Sequence, residues 1–459
     1  MSEQFSLDEH AGLEDQIDQW RTWLLRRTAI TPDDAAELED NLRGRVADLR
    51  AAGLDDDEAF LVAIRRLGNL DDVSREFARE HSERLWKQLV LVPEPMPGTS
   101  GRWRDLAVLV ALAVGAGAAV RVLLALGDGA RPELNATFAV LPFLGAYFAW
   151  SRRLPARVTG TLAALVGAVA LVVNLYPFVL VDDRGDPGMT YALAATHVPV
   201  LLWLLLGVTY AAGRWRDHPR RMDFVRFTGE LGIYFALIAL GGGLLLALLS
   251  ATFGVVGLTV DPFVEDWVLP FAVPGAFFVA AWLVEAKKSV VENMAPVLTR
   301  VFTPLTVVLL AASLVALLAG GPFTTVDRTL LILMDAILVL VLALLLYAIS
   351  ARDPLTPRTP FDWLQLVLAV AAFAVDVVAL VAMVTRIADA GWTANKTAAL
   401  GLNAVLLVHL VGTGWLLWRF LRGRGTFGAV ERWQTRYLPV YAVWAAIVVL
   451  VFPPAFSYV

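Results

Sequence analysis

The chain contains no cysteine, 5 histidines among 459 residues, and only four lysines. Without cysteine there can be no disulfide, no thiolate metal site and no cysteine nucleophile. The histidines lack the close spacing of metal ligands. The nucleotide-binding and hydrolase motifs G-x-x-x-x-G-K-[ST], H-E-x-x-H and G-x-S-x-G are also missing. We therefore expect no cofactor, no metal and no enzymatic activity.

Charged residues are scarce at 18%, whereas 58% of the chain is hydrophobic, with a mean hydropathy of +0.63. A soluble domain is about 45–50% apolar. Residues 1–90 hold 21 acidic and 12 basic side chains, and the remainder holds 22 and 26. An acidic soluble part thus precedes a mildly basic membrane part, and we expect no nucleic-acid partner. No apolar h-region follows a basic n-region, so we expect no cleaved signal peptide.

Apolar residues at helical spacing organise residues 1–90 into about four helices. The first of these stripes is Leu13, Ile17, Trp20 and Leu24. Asp55 and Glu58 have the spacing of a capping box at the start of the third helix, and the fourth begins at Asp71. Residues 91–101 are rich in proline and glycine and are interpreted as a linker. The predicted domains are therefore 1–90, the linker 91–101, and a membrane bundle over 102–459.

Several cap and core positions of the first part agree together with those of a known module. They are Leu38-Glu39-Asp40-Asn41-Leu42, Leu49, Ala52-Gly53-Leu54, Glu58-Ala59, Ala63-Ile64-Arg65-Arg66-Leu67-Gly68, Val73, Glu76 and Phe77. With these residues, about 12–82 resembles the HAAS or permease prefix domain. In that family the module is a short cytoplasmic helical domain fused to membrane proteins of several kinds. The resemblance implies a regulatory or interaction role, with a cytoplasmic protein as partner, and it supplies no catalytic residue.

Long apolar runs fill the remainder of the chain. A membrane helix needs about 20 apolar residues to cross a core of about 30 Å. By this criterion we place eleven spans, at 105–127, 134–151, 158–181, 190–213, 226–251, 267–286, 299–319, 328–351, 361–386, 396–418 and 438–456. The predicted fold is therefore all-α, a small cytoplasmic helical domain followed by a polytopic transmembrane bundle of about eleven spans. Membrane lipid is its expected surrounding, and the oligomeric state stays open.

Arginine and lysine accumulate in alternate loops of this arrangement. With the N-terminus inside, the inner loops hold 18 basic residues and the outer loops hold 5. Cytoplasmic loops of membrane proteins carry the excess of basic residues. The bias predicts a protein of the cell (cytoplasmic) membrane with its N-terminus in the cytoplasm and its C-terminus outside.

A second resemblance lies in the last third of the chain. Its residues are Gly391-Trp392-Thr393-Ala394-Asn395-Lys396 and Ala399-Leu400-Gly401-Leu402-Asn403. They resemble a turn followed by a helix in uncharacterised bacterial polytopic families of the DUF4153/DUF4173 kind. This resemblance covers about 30 residues, and it implies no function.

Polar side chains inside apolar spans are costly, so each is a candidate for function. Eight of them map to the outer half or the middle of six spans, and we predict that they line a substrate pathway: Arg121, Asn174, Tyr176, His197, Asp335, Asp376, Asn403 and His409. The hypothesis is a polar, partly hydrated cavity open to the outside, in which Arg121 pairs with Asp335 or Asp376. The alternative is structural. In that case the acids hold helices together by neutralising a buried arginine, the histidines bond between helices, and Arg121 extends to the outer headgroups.

Two features of the fifth span have simpler interpretations. Glu230 follows Arg226 by one turn near the inner interface, so we expect a surface ion pair. The glycines Gly241-Gly242-Gly243 favour close helix packing over a hinge.

Two classes of function fit these features. The favoured one is a permease-like transporter with a regulatory cytoplasmic N-terminal domain. The alternative is a membrane-embedded sensor that relays a small-molecule, lipid or envelope signal to a cytoplasmic partner through that domain. An enzyme acting on lipids would need clustered acids, histidines or metal ligands at an interface, and the sequence has no such cluster.

Overall fold

The computed structural model describes residues 13–25, 32–51, 54–66, 99–181, 185–286, 294–319, 328–352 and 356–459. Within these ranges the chain is helical and has no β-strand, apart from an isolated bridge between Val181 and Pro187. The chain divides into two compact units between Pro97 and Gly98. The predicted fourth helix, from Asp71, and most of the predicted linker lie outside the described residues.

The first unit contains helices α1 (Leu13–Leu25), α2 (Pro32–Ala51) and α3 (Asp56–Arg66). Its core is built from Ile17, Trp20, Leu42, Val46, Leu49, Ala59, Phe60 and Ala63, and Leu13 packs against it. Three residues of the first predicted stripe, Leu13, Ile17 and Trp20, are thus in or against this core. At the start of α3 the carboxylate of Asp55 accepts a hydrogen bond from the backbone N–H of Glu58 at 2.8 Å. This bond confirms the predicted N-cap.

The described residues of the second unit form eleven long helices. They are α4 (Thr99–Ala125), α5 (Pro132–Ser151), α6 (Ala156–Leu175), α7 (Met189–Tyr210), α8 (His218–Val255), α9 (Leu269–Ala286), α10 (Met294–Ala319), α11 (Arg328–Ser350), α12 (Pro360–Ala390), α13 (Ala394–Leu421) and α14 (Phe427–Leu450). Among the described residues, ten segments are long and apolar enough to cross a membrane, and each coincides with or overlaps one of α4 to α13. The protein is therefore an all-helical, multi-pass membrane protein.

The eleventh predicted span, 438–456, does not correspond to one helix. It is divided between α14 and a short helix, Phe452–Ala455. Helix α14 begins at Phe427, and its first half carries the charged residues Glu431, Arg432 and Arg436. Helix α14 is not among the ten segments that are long and apolar enough to cross a membrane. The count of eleven spans and the outside position of the C-terminus thus stay predictions.

The helices of the membrane unit pack in two groups. Helices α4, α5, α7 and α9 form one group, and α10, α11, α12 and α13 form the other. Helix α14 packs against both α7 and α13, and α8 packs against both α9 and α11. Helices α8 and α14 therefore each connect the two groups.

Helix α8 changes character along its length. Its first half buries Phe224, Phe227 and Leu231, whereas Leu240 and Leu245 in its second half are 73% and 69% exposed. No described helix covers this second half, and in a bilayer its leucines face lipid. A Cβ atom added at any of the glycines 241–243 would meet no atom within 4 Å. The predicted close packing of these glycines is therefore wrong.

Glu230 also differs from expectation, because it is only 4% exposed. The prediction that Glu230 lies at the surface is therefore wrong. Arg226 donates from Nε to the backbone carbonyl of Ser350 at 3.0 Å, which connects α8 to the end of α11. The sequence placed both residues near an interface, but the contact with α11 removes Glu230 from the surface.

Candidate functional site

A cavity of about 1290 Å³ lies between the two groups of helices. Eight helices line it: α5, α7, α8, α9, α10, α11, α13 and α14. Most of its lining is aliphatic or aromatic, and its polar side chains are Thr137, Thr196, His197, Thr228, Thr306, Tyr347 and Tyr441. We call this space the apolar cavity. Its walls contrast with the polar, hydrated cavity that we expected from the sequence.

One wall of the apolar cavity is the first half of α8. Thr228 accepts a hydrogen bond from the indole N–H of Trp203 on α7 at 3.2 Å, and Trp203 stacks on Phe227 at a centroid distance of 6.4 Å. These contacts fix the indole against the wall. At Gly232, a Cβ atom would meet nothing within 4 Å, because the cavity begins there. A side chain at this position would occupy the cavity.

Of the eight residues predicted to line a substrate pathway, only His197 lines the apolar cavity. Its Nδ1 atom lies 2.9 Å from the backbone carbonyl of Leu193, one turn earlier in α7. Because a carbonyl only accepts hydrogen bonds, Nδ1 must carry the proton in this contact. The ring is therefore a donor along its own helix in this arrangement, and Nε2 is the ring atom left for another partner.

The predicted acids lie together in the second group of helices. Asp335 on α11 accepts a hydrogen bond from the amide Nδ2 of Asn403 on α13 at 2.9 Å. Asp376 on α12 is fully buried, and neither of its carboxylate oxygens has a hydrogen-bond partner in the described part of the chain. The two acids are close enough for a direct coulombic interaction. We call Asp335, Asp376 and Asn403 the carboxyl cluster.

His409 lies in a second polar group, between α13 and α14. Its Nδ1 atom is 2.7 Å from the hydroxyl of Tyr441, and its ring stacks on Tyr437 at a centroid distance of 4.6 Å. Gln434 contacts the same imidazole and donates to Thr413 at 2.9 Å. His409 thus bonds between α13 and α14 through Nδ1, whereas its buried Nε2 has no hydrogen-bond partner in the described part of the chain.

Tyr441 connects these groups. It lines the apolar cavity, bonds to His409, and interacts electrostatically with Asp376. The sequence analysis missed Tyr441 and Gln434. Tyr441 is an uncharged residue inside a predicted span, and Gln434 precedes that span among charged residues, so neither was marked as a polar residue in the membrane.

Arg121 does not join the acids. Its guanidinium lies 4.9 Å from the ring centroid of Trp267, a cation–π contact. Helix α4, which carries Arg121, packs against α5 and α9, whereas the acids lie on α11 and α12. The predicted ion pair with Asp335 or Asp376 is therefore wrong. Hydropathy predicted similar depths for these residues, but depth alone does not decide which helices are neighbours.

Asn174 and Tyr176 connect the end of α6 to other elements. The side-chain amides of Asn174 and Asn135 on α5 bond to each other reciprocally, each at 2.8 Å. The hydroxyl of Tyr176 donates to the backbone carbonyl of Leu450, at the end of α14, at 2.7 Å. These contacts hold helix ends in place, and neither residue lines the apolar cavity.

The comparisons with known proteins add no relative. No protein-family model, curated protein or solved structure matches the chain. The resemblances to the permease prefix domain and to the DUF4153/DUF4173 families stay predictions from the residues alone.

A buried ion pair outside the cavity also escaped the sequence analysis. Arg352, just after α11, donates to both carboxylate oxygens of Asp362 on α12, at 2.7 and 3.1 Å. The side chains are 9% and 1% exposed. The backbone N–H of Thr359 also donates to Asp362 at 2.7 Å, which completes a capping box. The sequence counted Arg352 only as a basic residue of an inner loop.

Proposed function

We propose that this protein is a permease-like transporter and that its substrate is a hydrophobic, lipid-like molecule that occupies the apolar cavity. The observation that carries this proposal is the cavity itself. Its volume of about 1290 Å³ is larger than the 300–1,000 Å³ typical of small-molecule sites. Its walls offer hydroxyl groups and one imidazole to a ligand, but no ionised side chain. A charged solute would lose its hydration there without a partner, whereas an acyl chain would lose nothing.

The length of the cavity supports a pathway through the bundle. Its lining residues on α8 run from Phe224 to Ala236, which at 1.5 Å per residue is about 18 Å along the helix. This is more than half of a hydrocarbon core of about 30 Å. On α7 the lining runs from Thr196 to Leu204. A space of this length gives a long apolar molecule a route across much of the membrane.

The proposal includes a regulatory role for residues 1–90, in the cytoplasm and with a protein partner, as the permease-prefix resemblance implies. It also places the protein in the cytoplasmic membrane, where the basic loops set its orientation. A lipid sensor would use the same cavity for binding. Binding without movement of the ligand across the membrane is the behaviour that distinguishes the sensor from the transporter.

Filling the cavity is expected to weaken ligand binding. In the Gly232→Phe variant the phenyl group occupies the open space beside α8. The probe is a single-chain glycolipid with an uncharged sugar headgroup and an NBD fluorophore on its acyl chain, titrated into the detergent-purified protein. We expect saturable binding to the wild type, and an affinity at least about tenfold lower for the variant, equivalent to about 1.4 kcal/mol.

Gly243→Phe is the matched control. Gly243 lies on the same helix and also has no atom within 4 Å of a Cβ position, but it does not line the cavity. We expect this variant to bind the probe as the wild type does. Equal affinity of all three proteins, or an equal loss in both variants, would contradict the proposed use of the cavity.

A further inference from the structure

The buried acid Asp376 is not explained by the cavity. It does not line that space, and it is 0% exposed in the middle of α12. Both of its carboxylate oxygens and the amide oxygen of Asn403 lack partners in the described part of the chain. An ionised carboxylate in such surroundings is strongly disfavoured relative to the neutral acid. A structural ion pair would require a cation beside it, and none of the described ion pairs includes Asp376.

The helices that pack against α12 are α10, α11 and α13. Asp335 on α11 lies near enough to Asp376 to act on it electrostatically. Asn403 and His409 lie on α13, and Tyr441 lies on α14. The described residues of α10 beyond Arg300 include no ionisable side chain. The basic residues of α12 and α13 lie at their far ends, where Lys396 donates to the backbone carbonyl of Arg386 at 3.3 Å.

We propose that Asp335 and Asp376 form a binding site for one exchangeable proton. On protonation, a carboxylate oxygen forms an O–H bond with a proton from water, and the site loses one negative charge. On release the O–H bond breaks and the proton returns to water. Asn403 holds Asp335 through its amide N–H, which leaves the amide oxygen free to accept a hydrogen bond from a protonated acid.

The site is connected to the apolar cavity through Tyr441. This residue bonds to His409, interacts with Asp376 and forms part of the cavity wall. A change of charge at Asp376 therefore acts electrostatically on a group that a bound ligand would touch. The proton site itself does not depend on the proposed transport function, and its test uses no ligand.

Infrared difference spectroscopy of the full chain in lipid nanodiscs tests the site. The pH is lowered from about 9 to about 6.5, a range in which solvent-exposed aspartates and glutamates stay ionised. We expect the carbonyl band of a protonated carboxylic acid to grow in the wild type. Asp376→Asn is expected to remove this band, and Asp376→Glu to restore one. Asp389→Asn, at the exposed end of the same helix, is the matched control and is expected to leave the band unchanged.

The neighbouring acid provides an independent check that does not require Asp376→Asn to fold. In Asp335→Asn the band is expected to remain, but the midpoint of its titration should change by about one pH unit or more, because a nearby charge is removed. A midpoint equal to that of the wild type would overturn the proposal. A band that persists in folded Asp376→Asn would also overturn it. A third outcome would also overturn the proposal. If the carboxylate bands change when sodium is added at constant pH but do not change with pH, the site binds a metal cation and not a proton.

Discussion

Replacing Arg352 with alanine is expected to lower the free energy of unfolding by about 3–5 kcal/mol. The substitution leaves the carboxylate of Asp362 buried, at 1% exposure, without its cation. Thr359 continues to donate to it, but an uncompensated charge remains. The guanidinium also stacks on the ring of Phe427 at 4.2 Å, and this contact is lost as well. Unfolding of the purified protein in detergent, followed by circular dichroism, measures the change.

Arg358→Ala is the control for this substitution. Arg358 lies in the same connection, is exposed and contacts Phe420 at 5.8 Å, so its removal should change stability by no more than about 0.5 kcal/mol. The double variant Arg352→Ala/Asp362→Ala should lose less than the sum of the two single variants, because the pair acts as a unit. A loss below about 1 kcal/mol for Arg352→Ala would show that the ion pair does not hold α11 to α12.

Gly229→Ala is expected to destabilise the protein by about 1–3 kcal/mol. A Cβ atom at this position would overlap the ring of Tyr347 on α11, and its contact with Cγ, at 2.8 Å, would not be relieved by rotation of the ring. Tyr347 is 5% exposed and has little room to move. The strain would separate α8 from α11, two helices that both line the apolar cavity. The same unfolding measurement reports the effect.

Gly241→Ala should change stability in the opposite direction. Nothing lies within 4 Å of a Cβ atom there, and alanine is favoured over glycine in a helix by about 0.5–1 kcal/mol. The two substitutions are chemically identical and lie on one helix, so a difference in sign isolates the contact with Tyr347. Equal effects of both substitutions would argue against the close approach of α8 and α11.

Hydropathy and periodicity in the sequence predicted the helices well. The long apolar runs at 328–351 and 396–418, for example, correspond closely to α11 and α13. The stripe with Ile17 and Trp20 is buried in the first unit, and the cap at Asp55 forms as its spacing indicated. These properties depend on local preferences and on the length of a bilayer span, which a single sequence contains.

Contacts between distant helices could not be predicted in the same way. The sequence placed Arg121, Asp335 and Asp376 at similar depths, but Arg121 lies under Trp267 on a different side of the bundle. The triple glycine of α8 has the composition of a packing site, whereas the glycine of α8 that closely contacts another helix is Gly229. Helix neighbours depend on the rotation and order of helices, and hydropathy determines neither.

The apolar cavity could not be predicted from the sequence, for a related reason. Its lining consists mainly of residues that look the same in sequence as lipid-facing or buried residues, such as Val273, Leu298 and Leu402. The functional residues predicted from the sequence were all polar, and of these only His197 lines the cavity. Tyr441, which joins the cavity to His409, was overlooked because one uncharged hydroxyl in a span costs little.

Movement of a lipid probe across a sealed membrane tests the proposed function most directly. The NBD-labelled single-chain glycolipid, whose sugar headgroup is uncharged, is added to the outer leaflet of liposomes that contain the purified protein, and dithionite, which stays outside, reports how much probe has moved inward. We predict entry at least about tenfold faster than in protein-free liposomes, equivalent to about 1.4 kcal/mol. Gly232→Phe should abolish the increase and Gly243→Phe should preserve it. Saturable binding of the probe with no faster entry would contradict transport and favour the sensor.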